Sequence, residues 1–220
     1  GADAGCTNTN INGGVVSFPR AVSIGKVGTE TVIFVADTDN NRVLVWNVTV
    51  GGIAGLSNGQ AANYVIGQPD FQTRSSNSCG APTAATLDDP YHMALQNNVL
   101  WVADYRNDRI VGFDLGINLA NLISAPMGIL ATKILGQVNY ISKSKNRGGA
   151  VAAANSLAGP ISISVDNNFL FTADRLNNRV LAYNLSLFAD GMSAVYVFGQ
   201  SDFISGFNEV IQPSSTTLNT

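Results

Sequence analysis

One phrase is written three times in this chain. Val35-Ala36-Asp37-Thr38-Asp39-Asn40-Asn41-Arg42-Val43 returns after 67 residues as Val102-Ala103-Asp104-Tyr105-Arg106-Asn107-Asp108-Arg109-Ile110. After a further 70 it returns as Thr172-Ala173-Asp174-Arg175-Leu176-Asn177-Asn178-Arg179-Val180. The shared frame is Ala-Asp-x-x-Asn-x-Arg followed by an apolar run. A fixed period of this kind means stacked copies of one supersecondary unit, each burying its faces against its neighbours.

The flanks repeat too. Pro19, Pro90 and Pro160 each open an alternating stretch upstream, and Gly67-Gln68, Gly136-Gln137 and Gly199-Gln200 close the unit downstream. One unit therefore reads as a first strand after the proline, a hairpin around the Asp-x-x-Asn-x-Arg turn, and a fourth strand ending at Gly-Gln. Four short strands per repeat is one blade of a β-propeller. Residues 31–36 and 43–46 are apolar on both faces, the pattern of a strand covered on both sides. The expected fold is all-β: an array of three four-stranded antiparallel blades, incomplete as a single chain. Its parts are an arm or linker over 1–18, then blades with their linkers over 19–89, 90–159 and 160–220.

Turn chemistry accounts for the repeated polar residues. Asp37 is expected to accept backbone N–H groups of its turn, Asn40 to take the left-handed conformation, and Arg42 to pair with Asp37. The same roles fall to Asp104, Asn107 and Arg109, and to Asp174, Asn177 and Arg179. A catalytic site needs one copy, so three copies at one hairpin position point to structure.

Through Ala-Asp-x-x-Asn-x-Arg-(Val/Ile) and the opening proline, the chain resembles the NHL-repeat family of β-propellers over nearly its whole length. The resemblance implies the propeller fold. It departs from propeller repeats of about 40–50 residues in unit length. The excess lies in the connections over 48–62 and 115–133, and in Ser/Asn/Ala-rich linkers over 72–89 and 141–159. Some members of the family bind RNA, and some NHL-like propellers are lactonases or lyases with a metal at the channel mouth.

Composition narrows these options. Charged residues make up 12% of the chain and the net charge is −3, whereas nucleic-acid surfaces rest on clustered Lys and Arg. Lys143-Ser144-Lys145-Asn146-Arg147 is the one local cationic cluster and reads as a solvated loop. No apolar run is long enough to span a bilayer. His92, the single histidine, aligns with Ala21 and Ser162 on the first strand, where it lines the channel or a blade interface. One histidine does not supply the usual zinc set, so no cofactor is expected. Calcium, which needs only oxygen ligands, stays open. Asp37-Thr38-Asp39-Asn40 has the opening of a calcium loop, but the copies put Arg106 and Leu176 in place of Asp39.

The low charge and the start Gly1-Ala2-Asp3 suit a processed, extracellular chain. Cys6 and Cys79 hold nearly equivalent linker positions and are expected to pair. Asn47-Val48-Thr49 and Asn184-Leu185-Ser186 are glycosylation sequons at matching positions, so glycans join the expected partners. Closed propellers need four to eight blades. Three units leave two apolar end faces, and the tail stops one residue short of where the next opening proline would fall. The expected function is a non-catalytic, extracellular scaffold or binding protein that associates with copies of itself, as a two-chain ring or an open filament. The alternatives are a lactonase-type hydrolase or lyase with calcium at the channel, and a fragment of a longer ligand-binding propeller.

Overall fold

The computed structural model describes residues 12–123 and 128–205. Three antiparallel sheets of four strands follow one another along the chain, each in simple sequential order. Blade 1 holds β1 (Pro19–Val27), β2 (Glu30–Asp37), β3 (Arg42–Asn47) and β4 (Tyr64–Ile66). Blade 2 holds β5 (Pro90–Gln96), β6 (Val99–Asp104), β7 (Arg109–Asp114) and β8 (Lys133–Leu135). Blade 3 holds β9 (Pro160–Val165), β10 (Phe169–Asp174), β11 (Arg179–Asn184) and β12 (Tyr196–Phe198). The all-β blade array read from the repeats is what the structure shows.

The blades stack face to face because strands alternate their side chains. Val32, Phe34 and Ala36 of β2 share one buried cluster with Leu100 and Val102 of β6 and Phe113 of β7. Trp101, Ala103 and Ile110 on the other face of blade 2 join Leu170, Leu181 and Tyr183 of blade 3 in a second cluster. Each blade thus has a leading face toward the preceding blade and a trailing face toward the next. First strands of adjacent blades lie side by side, β1 against β5 and β5 against β9. Gly25 permits that approach, since a Cβ there would stand 2.7 Å from Leu95 Cδ2.

The Gly-Gln ends are structural as well. Gly136 has φ +86, and Leu157 of the following linker sits where its Cβ would go, with Cδ1 at 2.6 Å. Gln137 Nε2 donates to the Asp108 carbonyl at 3.0 Å and the Ser144 carbonyl at 2.9 Å, tying hairpin to linker. Gln68 does the same with Asn41 and Ser75. In blades 1 and 2 the repeated glutamine therefore fastens the linker to the blade it leaves.

Two expectations about the turns need correction. The left-handed residue is Asn41, Asp108 or Asn178, one place after the asparagine expected there. Asn40, Asn107 and Asn177 sit inside a short 3-10 turn and use their side chains instead. The Lys143–Arg147 segment is also less solvated than expected. Arg147 Nη2 donates to the carbonyls of Gln137 and Gly191, at 3.1 and 2.6 Å, bridging linker and blade 3 loop.

Gly136→Ala puts a Cβ into Leu157 at a backbone angle that disfavours side chains. It is expected to lower stability by about 1–3 kcal/mol, read as a drop in the denaturant midpoint with the slope unchanged.

Candidate functional site

The repeated trio forms three buried polar centres. In blade 2, Arg109 Nε donates to Asp104 Oδ2 at 2.6 Å, and both side chains are fully buried. Asn107 Nδ2 donates to the same oxygen at 2.8 Å, and the Asp88 amide donates to Oδ1 at 2.7 Å. Four of the guanidinium's five N–H groups find partners here. Its Nη1 donates to the Tyr140 carbonyl at 2.6 Å, and Nη2 to the carbonyls of Thr83 and Thr86 at 3.0 and 2.8 Å.

Blades 1 and 3 repeat the pattern atom for atom. Arg42 pairs with Asp37 at 2.7 Å and donates to Phe71, Asn12 and Val15 carbonyls. Arg179 pairs with Asp174 at 2.7 Å and donates to Phe203, Ala153 and Ser156 carbonyls. Asp37 accepts the Ser17 amide and Asp174 the Ala158 amide. These amides belong to the preceding linker, so the aspartate binds that linker and not, as expected, its own turn. Burial raises the Asp104 and Asp174 carboxyls, while the guanidinium, the asparagine and the backbone amide pull them down.

Each centre is thus a junction between the hairpin, the linker before it and the segment after it. The paired aspartate and arginine side chains of all three are fully buried. Sequence reasoning missed the linker asparagines that join two of them. Asn77 and Asn107 exchange side-chain hydrogen bonds at 3.0 and 2.8 Å, and Asn146 and Asn177 do so at 3.3 and 2.9 Å. Their signal was present: Asn77 and Asn146 stand at nearly the same distance before Pro90 and Pro160.

The remaining singled-out residues scatter. His92 Nδ1 accepts the Ile163 amide at 3.4 Å across the junction of blades 2 and 3. Burial lowers its pKa, consistent with a neutral ring whose Nδ1 accepts. Among the described residues no three metal-ligating side chains converge. Asn47 Nδ2, the atom a glycan would take, donates to Glu30 Oε1 at 2.9 Å, whereas Asn184 engages Ser186 through Oδ1. Cys79 is not a free thiol, and Cys6 lies outside the described residues.

Among the described residues, two outer blade faces expose apolar side chains. On the leading face of blade 1, Val22 is 71% and Ile24 55% exposed. They pair in register with Val35 and Ile33, beside Trp46. Val16, Leu56 and the edge of Trp46 frame an open groove there of about 630 Å³. On the trailing face of blade 3, Phe171 packs against Phe198 and Phe169 against Tyr196. Tyr196 and Phe198 are 57% and 50% exposed.

Both surfaces are copies of buried ones. Val22, Ile24, Ile33 and Val35 hold the places of Met93, Leu95, Leu100 and Val102, which pack against blade 1. Phe171, Ala173 and Val180 hold the places of Trp101, Ala103 and Ile110, which pack against blade 3.

Comparison with known proteins agrees with the repeat reading over part of the chain. It is 33% identical over 107 residues to NHL repeat-containing protein 2 from Gallus gallus, covering 49% of this chain and 12% of that relative. The chain therefore spans about an eighth of the curated relative's length. No family model matches. Among solved structures it is similar to a functionally unknown protein from Desulfotomaculum acetoxidans. The TM-score is 0.46 and the identity 14%, over 88% of this chain and 47% of that one. It is also similar to a candidate 6-phosphogluconolactonase from Bacteroides uniformis. There the TM-score is 0.41 and the identity 13%, over 83% of this chain and 41% of that one.

Two outcomes follow from the junctions. Arg109→Met leaves the Asp104 carboxylate buried without its counterion and three carbonyls without a donor. Breaking such a pair costs about 3–5 kcal/mol, more than the loss of one hydrogen bond, and the melting temperature is expected to fall accordingly.

Asp108 gives a pH signature. Burial pushes its carboxyl from 3.8 up to about 6, against the Gly159 amide and Lys145, with Asp174 and Asp104 adding to the rise. A carboxyl raised in the folded state stabilises the fold below its unfolded pKa and stops doing so as pH climbs through its folded pKa. Stability is therefore expected to decline between about pH 4 and pH 6 through this group. Asp108→Asn keeps the acceptor, as Asn41 and Asn178 do in the other blades, and should flatten that decline in a denaturation series across pH.

Proposed function

We propose that this chain is a non-catalytic, extracellular NHL-type propeller scaffold that associates with copies of itself. The observation that carries the reading is the equivalence just described. The outer faces of blades 1 and 3 carry apolar residues at the positions that are buried at both internal junctions. Apolar surfaces of that extent drive specific association or aggregation. Blade 3 meeting blade 1 of another copy yields a six-bladed ring if the rotation closes, and a helical filament if it does not. The charge-poor surface favours the filament.

The non-catalytic part rests on how the conspicuous polar residues are spent. The three Asp-Asn-Arg centres are buried and engaged in internal bonds, and the single histidine accepts a backbone amide. The extracellular part rests on composition and on the two cysteines. Glycan at Asn184, whose Oδ1 and not its Nδ2 is engaged, fits the same setting.

Light scattering on the full chain across a concentration series tests the association. A mass above one chain that grows with concentration is expected, and a single-chain particle at every concentration overturns the reading. Thiol titration of freshly isolated, denatured, unreduced protein tests the setting. No titratable thiol is expected, and two would remove the disulfide and the main support for an extracellular site.

A further inference from the structure

Each internal junction carries a polar latch beside its apolar faces. At the first, Asn41 Oδ1 accepts the Asp89 amide at 2.7 Å. At the second, Asp108 Oδ1 accepts the Gly159 amide at 2.7 Å. The acceptor is always the left-handed residue of one hairpin. The donor is always the residue just before the proline that opens the next blade. The donors are left-handed too, with φ of 52° and 60°.

Asn178 holds the acceptor's place in blade 3. Its backbone takes the same left-handed geometry, φ 52° and ψ 46°. Its Oδ1 is buried and has no hydrogen-bond partner. A buried acceptor left unmatched carries a desolvation cost of about 1–3 kcal/mol, so the site favours a donor. At the other end of the array, Phe18 precedes Pro19 and holds the donor's place. It has φ 50° and is 57% exposed. A bulky side chain at that angle is an outlier. Blade 1 thus presents the donor geometry found at both filled junctions.

We infer that the trailing face of blade 3 is the docking site for the leading face of blade 1 of a second copy, head to tail. In that contact Asn178 Oδ1 accepts the Phe18 amide of the incoming chain. This rests on the self-association proposed above and adds its polarity and its latch. Phe171 takes the role that Phe34 and Trp101 play at the internal junctions, facing the groove beside Val22 and Ile33 of the incoming copy. Blade 1 arrives with its entry segment in place. Arg42 holds the carbonyls of Asn12 and Val15 as Arg109 holds those of Thr83 and Thr86. The two surfaces are different, so each addition leaves one of each kind free, and growth repeats unless rotation closes a ring.

Blocking one face at a time tests the polarity. Val22→Glu and Phe171→Glu place a charge on an outer face of the full chain, and circular dichroism with thermal melting verifies that each variant folds. If Phe171→Glu fails to fold, Tyr196→Glu replaces it. Each variant alone is expected to remain a single chain. Mixed at equal concentration, they are expected to form one discrete dimer, since each keeps the face that the other lacks. Asn178→Gly preserves the left-handed backbone, removes the acceptor, and is expected to weaken association of the otherwise unchanged chain about tenfold, a single hydrogen bond's worth.

The outcomes separate the two readings. A wild-type chain that is single at all concentrations defeats self-association itself. A wild-type chain that assembles while the folded mixture does not, or either variant dimerising alone, overturns the head-to-tail contact and leaves self-association standing. Asn178→Gly associating as tightly as the wild type removes the latch. A lower melting point for that variant as a single chain, with no dimer in the mixture, assigns the acceptor to the chain's own residues and overturns the docking.

Discussion

A single arginine per blade holds three stretches of chain at once. Arg109 spends Nε on Asp104, Nη1 on Tyr140 and Nη2 on Thr83 and Thr86, with its own side chain fully buried. A planar guanidinium suits this role, because its donors diverge in one plane and it stays charged when buried. The hairpin supplies the carboxylate, and the linkers before and after supply the carbonyls. The Ser- and Asn-rich linkers bury one leucine each, Leu87 and Leu157, and beside it the fork supplies the polar anchoring. The unusually long repeat unit depends on it.

This explains how far the sequence could be read. The period, the four-strand unit and the Asp–Arg pair were all legible, because each depends on residue types recurring in one register. The direction of the bonds was not. Asp37 was expected to bind its own turn and instead takes the Ser17 amide, 20 residues earlier. The register of a linker against a hairpin is fixed in three dimensions, and no local pattern records it. The left-handed position was misplaced by one residue for a related reason. Two adjacent residues, Asn40 and Asn41, both suit that conformation, and only the Asp37 contact made by Asn40 decides between them. Asp108 in the second repeat was the available clue, since Asp tolerates the same angle and aligns with Asn41.

The asparagine content also resolves into two kinds of use. Part of it is turn chemistry, as expected. Another part is buried: Asn77, Asn107 and Asn177 are almost fully enclosed and exchange amide hydrogen bonds between linker and hairpin. An amide both donates and accepts, so one residue type on each side satisfies both partners without charge. A chain with few ionised groups can build polar junctions in this way. Arg147 shows a departure from strict repetition, replacing the Ser78 of the first linker and reaching the blade 3 loop instead. Gln137 Oε1 is left without the partner that Gln68 has.

The linker bonds also determine how the array comes apart. Because each arginine grips carbonyls on both sides of its blade, no blade has a boundary at which its stabilising bonds stop. Thr83 and Thr86 belong to the first repeat by position, yet they satisfy the arginine of the second. The energetic unit is therefore offset from the sequence unit by most of a linker. In a nearest-neighbour description the coupling terms between blades are large compared with the term for a blade alone. Such an array melts inward from its ends, with cooperativity spanning several blades. Cutting it within a linker removes support from both of the blades that the linker joins.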